Sequence, residues 1–363
     1  MKHSASEIQI FSELPEETIW QSLRLFTYKR NIQRHAESRG LAIPTDDVCD
    51  AVSGAMQQAY EFFTSSKNVG LSANPLLTYY GVTNILNATS IIMSALDPKI
   101  QHHGMTLEAP SDPSASIGDF SARIQGGESG AFKVHLAAME DASKFPYGEP
   151  WSLKEIVGSI PDMLSVFTAT YQGTAPFCIP IQEVLRKTGN LDRIARSDMD
   201  SFAEVSRALD RIVGLSEMYL TKGIQELSDF IILRRKLDYD DVTITSLSRQ
   251  RFLRLYHSKK DVDCSMPVDL LFLVGTYILG MIARYHPGRW SRFVMADDTG
   301  ERLLVEQFLT VARRMVPNLA LNRIYGRPHI YVTERQGILD LKRDWSKKEL
   351  VELIQQVQKS DKP

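Results

Sequence analysis

The segment "YKRNIQRHAES" carries an arginine, an asparagine and a histidine close together, as Arg30, Asn31 and His35. These residue types suit metal-independent cleavage of RNA. A histidine can take the proton of the 2′-hydroxyl, an arginine can stabilise the charge on the phosphorane, and Asn31 can orient them. On an uninterrupted helix, however, a separation of five residues turns two side chains about 140° apart. Arg30 and His35 therefore share a site poorly unless the helix breaks near Lys29.

The R-N-x-x-x-H pattern resembles the signature of HEPN-type ribonucleases. The resemblance implies a metal-independent endoribonuclease with Arg30, Asn31 and His35 as catalytic residues. It also implies that the motif opens a late helix of a bundle and faces a dimer cleft, whereas here it falls in the first predicted helix. Two interpretations stay open: a catalytic pair, and the solvated basic end of an ordinary helix.

Two adjacent histidines, His102 and His103, precede Gly104 in "QHHG". Neighbouring side chains of a strand point to opposite faces, so the pair is a poor chelating site. A turn with one packed, hydrogen-bonded histidine is one interpretation, and a ligand contact through His103 is the other. We predict no metal and no cofactor, and Walker A, G-x-G-x-x-G and G-x-S-x-G patterns are absent from the sequence.

Cationic residues also stand where a strongly apolar segment ends, in "ARYHPGRW". Cations near the C-terminal end of a helix interact favourably with its carbonyl groups, and Trp290 can pack beneath them. An arginine at the mouth of a buried helix can instead hold phosphate or carboxylate. Arg284, Arg289 and Trp290 are therefore candidate binding residues.

Basic residues cluster in Lys29–Arg39 and again in Arg249–Lys260, where Arg249, Arg251 and Arg254 alternate with apolar and aromatic residues. Such a segment can hold a nucleic-acid backbone and stack bases. It is also typical of an amphipathic helix with a solvated cationic face. The formal net charge of −2 supplies no global attraction to nucleic acid or to an anionic membrane.

The bulk composition is that of a soluble globular protein with a sizeable core: 363 residues, 43% hydrophobic and 24% charged. The three cysteines are far apart and form no C-x-x-C, which fits a reducing cytoplasm. The apolar run Leu270–Ala283 is too short to cross a bilayer, and the N-terminus lacks the apolar region of a signal peptide. We therefore expect a cytoplasmic protein without membrane association.

Apolar spacing predicts a mostly helical chain. One helix should begin after Thr45 or Asp46 as N-cap, and another after Asn74, with Pro75 in its first turn. On the latter helix Asn84 is a polar exception, and its buried amide needs a partner on another helix or on a ligand. The predicted helices are Pro15–Arg39, the helix after Thr45, Asn74–Leu96, Leu153–Ser165, Ser197–Tyr219, Pro267–Tyr285, Glu301–Met315 and a capped tail helix, Ser346–Gln358.

Strand patterns are fewer. "ASIGDFSARIQ", "GGESG" and "AFKVHLAAM" together predict a β-hairpin with a glycine-rich turn, and "PFCIPI", "DFIILRR" and "DVTITSL" predict short strands. The expected fold is mainly α (α+β), a helical body with a small antiparallel β-hairpin insertion. The expected parts are residues 1–100, 101–180, 181–340 and 341–363.

Four segments together resemble the YaaC-like family of bacterial proteins: "AYEFFTSSKNVGLSANPLLTYYGVTNILNA", "HHG", "GAFKVH" and "YILGMIARYHPGRW". The resemblance covers Ala59 to Leu321 and leaves "RNIQRH" outside. It implies a helical bacterial cytoplasmic protein whose relatives occur beside phage-defence genes, and it implies no reaction.

The leading expectation for function is therefore binding of a protein or nucleic-acid partner within an anti-phage defence system. Nucleic acid would bind through Arg249–Lys260 or Lys29–Arg39, and a homo-oligomer is left open. One alternative is the HEPN-like endoribonuclease with Arg30 and His35. The other is a small-ligand sensor with a pocket near His103 and Arg284.

Overall fold

The computed structural model describes residues 7–184, 191–195, 209–220, 224–226, 229–236, 243–260 and 262–332. The helices within them are α1 Pro15–Leu23, α2 Lys29–Ser38, α3 Asp46–Ser66, α4 Asn74–Ser94, α5 Ala131–Met139, α6 Leu153–Gly158, α7 Leu164–Thr170, α8 Leu215–Met218, α9 Val268–Tyr285, α10 Pro287–Ala296 and α11 Glu301–Tyr325. The strands are β1 Ile8–Phe11, β2 Met105–Glu108, β3 Ser121–Ile124, β4 Pro150–Ser152, β5 Cys178–Val184, β6 Leu191–Ala195, β7 Gln225–Glu226, β8 Phe230–Arg234, β9 Ile244–Thr245, β10 Arg251–Arg254, β11 His257–Lys259, β12 Val262–Cys264 and β13 His329–Val332. The predicted class, mainly α with some β, is confirmed.

Helix α4 lies at the centre of the helical body, where it contacts α3, α9 and α11. Apolar residues surround it on nearly every side, and α9 is buried from Val268 to Ile282. Both helices belong to one hydrophobic cluster, as their sequences predict. Of the two predicted N-cap candidates, Thr45 and Asp46, it is Thr45 that caps α3, its hydroxyl accepting from the backbone of Val48. Asn74 is the first residue of α4 and not its cap, since its amide donates to the carbonyl oxygen of Ser66 at 2.9 Å.

The prediction of one continuous helix over Pro15–Arg39 is wrong. Helix α1 ends at Leu23, a 3₁₀ turn follows, and Tyr28 is extended before α2 begins. The break lets Phe26 and Ile32 both enter the core, each 2% exposed. On one straight helix, these two side chains would point about 120° apart.

The predicted hairpin uses different residues from those expected. Strand β3 pairs with β2, Met105 opposite Ile124, and β4 adds to its other side. The segment "AFKVHLAAM" forms α5 and not a strand. It buries Ala131, Phe132, His135 and Leu136, a helical spacing that an alternating strand could not provide.

The largest sheet has six strands in the order β7-β8-β6-β5-β10-β9, with neighbouring strands antiparallel. The three short strands expected from sequence form β5, β8 and β9, which confirms them. The basic segment Arg249–Lys260 is not an amphipathic helix, because it contains β10 and β11. Phe252 and Leu253 are adjacent and both buried, so their segment packs on both faces of the sheet.

Helix α11 continues beyond its predicted end at Met315 to Tyr325, with Pro317 inside it. A parallel pair, β1 with β13, then joins the two ends of the described chain. The predicted tail helix Ser346–Gln358 lies outside the described residues, as do residues 197–208 of the predicted Ser197–Tyr219 helix. The described remainder is not one continuous helix, because turns precede the short helix α8. The expected division into parts stays a prediction.

Candidate functional site

The residues of the R-N-x-x-x-H pattern lie on α2 and face different surroundings. Arg30 is exposed. The amide of Asn31 donates to the carbonyl oxygen of Leu25 at 2.9 Å, which closes the broken turn. The break at Tyr28 comes before the motif, so it does not bring Arg30 and His35 to one side.

The ring of His35 packs inside the helical body. It lies edge-on to the rings of Phe26 and Tyr325, with centroid distances of 5.3 and 5.6 Å. Burial lowers the pKa of His35, and the charge of Arg39 lowers it further. These contacts give His35 a packing role at the end of α11.

The adjacent histidines point to different neighbours. The Nδ1 atom of His102 accepts from the backbone nitrogen of Gly104 at 3.1 Å, which stabilises the local turn. His103 is exposed like His102, and its Nδ1 lies 2.6 Å from the hydroxyl oxygen of Tyr79. What distinguishes His103 is that its ring also packs on the aromatic rings of Tyr79 and Tyr277.

An aromatic cluster supports His103. The ring centroid of Tyr277 lies 5.7 Å from that of Tyr79 and 5.6 Å from that of His103. The Tyr277 hydroxyl donates to the carbonyl oxygen of Met105 at 3.0 Å. Burial raises the pKa of Tyr79, so its hydroxyl stays protonated. The bond to His103 Nδ1 forms with either tautomer of the neutral imidazole, with the hydroxyl or the ring nitrogen as donor.

The exposed end of α9 adjoins this cluster. The guanidinium of Arg284 lies over the ring of Tyr285 at 5.1 Å, and Tyr285 is 61% exposed. Partial burial lowers the pKa of His103, and the charges of His102 and Arg284 lower it further, so the charge of Arg284 acts on the His103 ring. We call His103, Arg284 and Tyr285 the partner surface.

Arg289 and Trp290 lie elsewhere. Arg289 donates to the carbonyl oxygen of Ala115 and lies over the ring of Phe120 at 4.5 Å. Trp290 is buried and packs on Phe293, with the ring centroids 5.1 Å apart. Both residues tie α10 to the body of the protein.

Asn84 satisfies its amide within its own helix. Its Nδ2 donates to the carbonyl oxygen of Tyr80 at 2.9 Å, one turn earlier. The side chain is half-buried. A bond within one helix replaces the expected bond between helices.

The three arginines of the basic segment make separate internal contacts. Arg249 donates to the carbonyl oxygen of Tyr331 at 3.3 Å, and Arg254 to that of Met266 at 3.4 Å. Arg251 lies 3.7 Å from the buried carboxylate of Asp192. The guanidinium groups therefore point to three different places.

A cavity of about 330 Å³ lies between α11, β13 and the turn that joins β9 to β10. We call it the α11–β13 cavity. Its polar lining includes Arg249, Arg314, Asn318, Asn322, His329 and Tyr331. These residues are missing from the candidates found in the sequence, apart from Arg249. The available signal was the four-residue spacing of the three polar residues on α11, which puts them on one side of a helix.

Several polar atoms of the residues that line the cavity are buried behind its surface, without a hydrogen-bond partner among the described residues. They are Arg314 Nη1, Asn318 Oδ1 and the Tyr331 hydroxyl. The guanidinium of Arg314 lies 5.4 Å from the centre of the Tyr331 ring. Buried polar groups in folded proteins normally have partners, so these three groups are candidates for contact with a ligand.

A second polar cluster, formed by Ser159, His257 and Glu155, has the residue types of a hydrolase triad in the same order. The Oγ of Ser159 lies 2.9 Å from His257 Nε2, and His257 Nδ1 lies 3.9 Å from Glu155 Oε1. The Ser159 hydroxyl also donates to the carbonyl oxygen of Glu155 at 2.7 Å, which ends α6. The adjoining cavity measures about 10 Å³, room for about one water molecule.

The charged carboxylate of that cluster is compensated by neighbouring groups. Burial acts to raise the pKa of Glu155, but interactions with His257, Lys259 and the backbone of Ser152 outweigh it and lower the pKa to about 2. Lys259 donates to Glu155 at 2.7 Å. Because Glu155 is engaged by Lys259 and no substrate fits beside Ser159, the cluster is structural.

Within the described residues, no group of three or more histidine, cysteine, aspartate or glutamate side chains could hold a metal ion. Helix α9, Val268–Tyr285, has the length and composition of a membrane span, but 83% of it is buried inside the protein. That burial fits the core helix expected from sequence.

The YaaC-like Protein family model matches residues 21–324 of the chain. The match includes Arg30 and His35, which the resemblance read from sequence had left outside. No curated protein and no solved structure matches the chain.

Proposed function

This chain belongs to the YaaC-like family, and we propose that it acts in the bacterial cytoplasm by binding a protein partner through the partner surface. The observation that carries the proposal is the exposed Arg284 lying over the exposed Tyr285, beside the exposed ring of His103. These residues come from two distant segments that meet at the surface.

The composition of this surface supports protein binding. Tyrosine and arginine are enriched among the residues that dominate binding energy in protein interfaces. His103 is already held by Tyr79 and packed on Tyr277, and Arg284 and Tyr285 end the buried helix α9. Side chains that are held in place before binding lose less entropy when a partner arrives.

The charge of the surface favours an acidic partner. Among the described residues, Arg284 forms no salt bridge, and the lowered pKa of His103 favours its neutral ring. A carboxylate on the partner would pair with Arg284 and steer association. The arginines around β10 are used in internal contacts, which supports a protein partner over nucleic acid.

The test is a pull-down from native extract with three forms of the protein: wild type, Arg284→Glu and Arg292→Glu. Arg292 is an exposed arginine on the neighbouring helix α10 and gives the matched control. We expect a protein retained by wild type and by Arg292→Glu to be lost with Arg284→Glu. Proteins and nucleic acids are measured in the same eluate. Retention unaffected by Arg284→Glu, or recovery of nucleic acid alone, would refute the proposal.

We propose that the protein acts within an anti-phage defence system. The support for this part is the resemblance of the sequence to the YaaC-like family. Plaque counts on cells carrying the gene with its neighbours test this part. We expect protection that survives Arg292→Glu and disappears with Arg284→Glu. Equal plaque counts with and without the genes would contradict the defence role and leave the binding test standing.

A further inference from the structure

We propose that the α11–β13 cavity binds the phosphate or carboxylate group of a small molecule, a role separate from that of the partner surface. The cavity is a second site, formed by elements that do not contribute to His103, Arg284 or Tyr285. Its volume of about 330 Å³ falls within the usual range for small-molecule pockets, about 300–1,000 Å³.

The inner cation of the cavity is Arg314. Its Nη1 atom is buried without a partner among the described residues, and its guanidinium lies over the Tyr331 ring. Burial lowers the pKa of Arg314, and Glu16 and Asp162 oppose this only through longer-range charge interactions. A guanidinium with an unpaired, buried nitrogen is costly, and a bound anion would offset that cost.

A second cation stands at the rim. Arg249 lines the cavity with φ at +66°, in the left-handed region. A residue other than glycine rarely adopts this conformation, and such strain concentrates at functional sites. The turn is held by hydrogen bonds between Ser246 and the backbone of Arg249 and Gln250. The guanidinium of Arg249 is held at the cavity by its bond to the carbonyl oxygen of Tyr331 at 3.3 Å.

Two further polar groups indicate which chemical groups the rest of the ligand should have. The Tyr331 hydroxyl is an unpaired donor, and Asn318 Oδ1 is an unpaired acceptor. Asn322 is already engaged, since its Oδ1 accepts from the backbone nitrogen of His329 at 2.7 Å. The arrangement therefore fits an oxyanion between Arg249 and Arg314, with the Tyr331 hydroxyl behind the cavity surface and able to turn towards it. A hydroxyl or amine of the same molecule would lie near Asn318, because the carboxylate of Glu7 also lines the cavity and would repel a second anion.

The first test is thermal unfolding with inorganic phosphate or succinate at up to about 10 mM, tenfold above a millimolar Kd. We expect at least one of them to raise the Tm of the wild type, and the one that does identifies the group. Arg314→Gln should abolish the rise. Arg313→Gln should keep it, because Arg313 lies next along the same helix but donates to Asn74 on α4.

Comparing Arg314→Gln with Arg313→Gln also separates binding from a general salt effect. Anions that are excluded from the protein surface stabilise folded proteins without binding to a site. A rise in Tm that is equal in Arg314→Gln and Arg313→Gln would overturn the proposal. So would the absence of any rise with both anions in the wild type.

The second test does not depend on how Arg314→Gln folds. Tyr331→Phe removes only a hydroxyl that has no partner among the described residues, so the Tm without anion should stay the same or rise. Anion affinity should fall several-fold, the usual effect of one lost hydrogen bond. A hydroxyl with a structural role would show the reverse: a lower Tm and unchanged affinity. That result would refute the site.

Discussion

The carboxylate of Glu301 should be one of the most important single groups for stability. It is 4% exposed at the start of α11. It accepts hydrogen bonds from the backbone nitrogens of Ile117 and Gly118 at 3.1 and 2.9 Å, and from the Tyr171 hydroxyl at 2.5 Å. Burial raises the pKa of Tyr171, and the charge of Glu301 raises it further, so the hydroxyl is a donor at every ordinary pH.

The change Glu301→Ala would leave three buried donors without their acceptor. Each unsatisfied donor costs about 1–3 kcal/mol, and neighbouring losses are not additive. The loop has little room to relax, since a Cβ at Gly118 would lie 2.2 Å from the Tyr171 hydroxyl. We therefore expect a loss of about 3–5 kcal/mol in the free energy of unfolding, a large part of the about 5–15 kcal/mol typical of folded proteins.

Urea unfolding, followed by circular dichroism, measures this loss. The matched control is Glu306→Ala on the same helix, where the carboxylate pairs with Arg302 at 3.0 Å in solvent. An exposed pair of this kind contributes about 0.3–0.5 kcal/mol. Tyr171→Phe should fall between the two, at about 1 kcal/mol, because one neutral donor is lost. A Glu301→Ala variant no less stable than Glu306→Ala would refute the reasoning.

Three further outcomes are expected. Leu86→Asp puts an unpaired charge into α4, where Leu86 is 1% exposed, so soluble expression should collapse; a variant that melts like wild type would contradict the placement of the core. Arg30→Ala and His35→Ala should leave RNA unaffected in EDTA, as wild type does, because Arg30 is exposed and His35 is packed on aromatic rings. Wild-type protein that leaves 2′,3′-cyclic phosphates and stops doing so on His35→Ala would instead establish the ribonuclease. Burial lowers the pKa of His135 from 6.5 to about 3. The unfolded chain therefore binds the extra proton between these values, and stability should fall as pH drops from 6.5 toward 3, by at most about 1.4 kcal/mol per pH unit. An identical pH dependence in His135→Gln would count against that cause.

The helical core was predictable because its causes are local. Apolar residues nearly all around α4 and α9 predict buried helices, and the candidate caps Thr45 and Asp46 predict the start of α3, wherever the rest of the chain lies. The same reasoning failed for "AFKVHLAAM". Its apolar residues fit both a strand and a helix, and only packing against α4 and α9 selects the helix.

The candidate residues divide in a similar way. Sequence alone suggested His103 and Arg284 as neighbours of one ligand pocket. The fold holds His103 on Tyr79 and on Tyr277, which lies on the same helix as Arg284. Sequence also suggested Arg289 and Trp290 as binding residues, and the structure places both in packing contacts on α10. Residue type shows what a side chain can do, but its neighbours decide which of these uses is available.

The sequence by itself determined the family, the mainly α class and the buried helices, since these depend on patterns within single segments. Only the tertiary structure showed that α1 and α2 are separate helices, because the break between them allows Phe26 and Ile32 to be buried in the same core. The α11–β13 cavity also forms only in the folded chain. Arg249, Arg314 and Tyr331 are far apart in the chain, and their unpaired or strained groups are visible only once the folded backbone encloses one space.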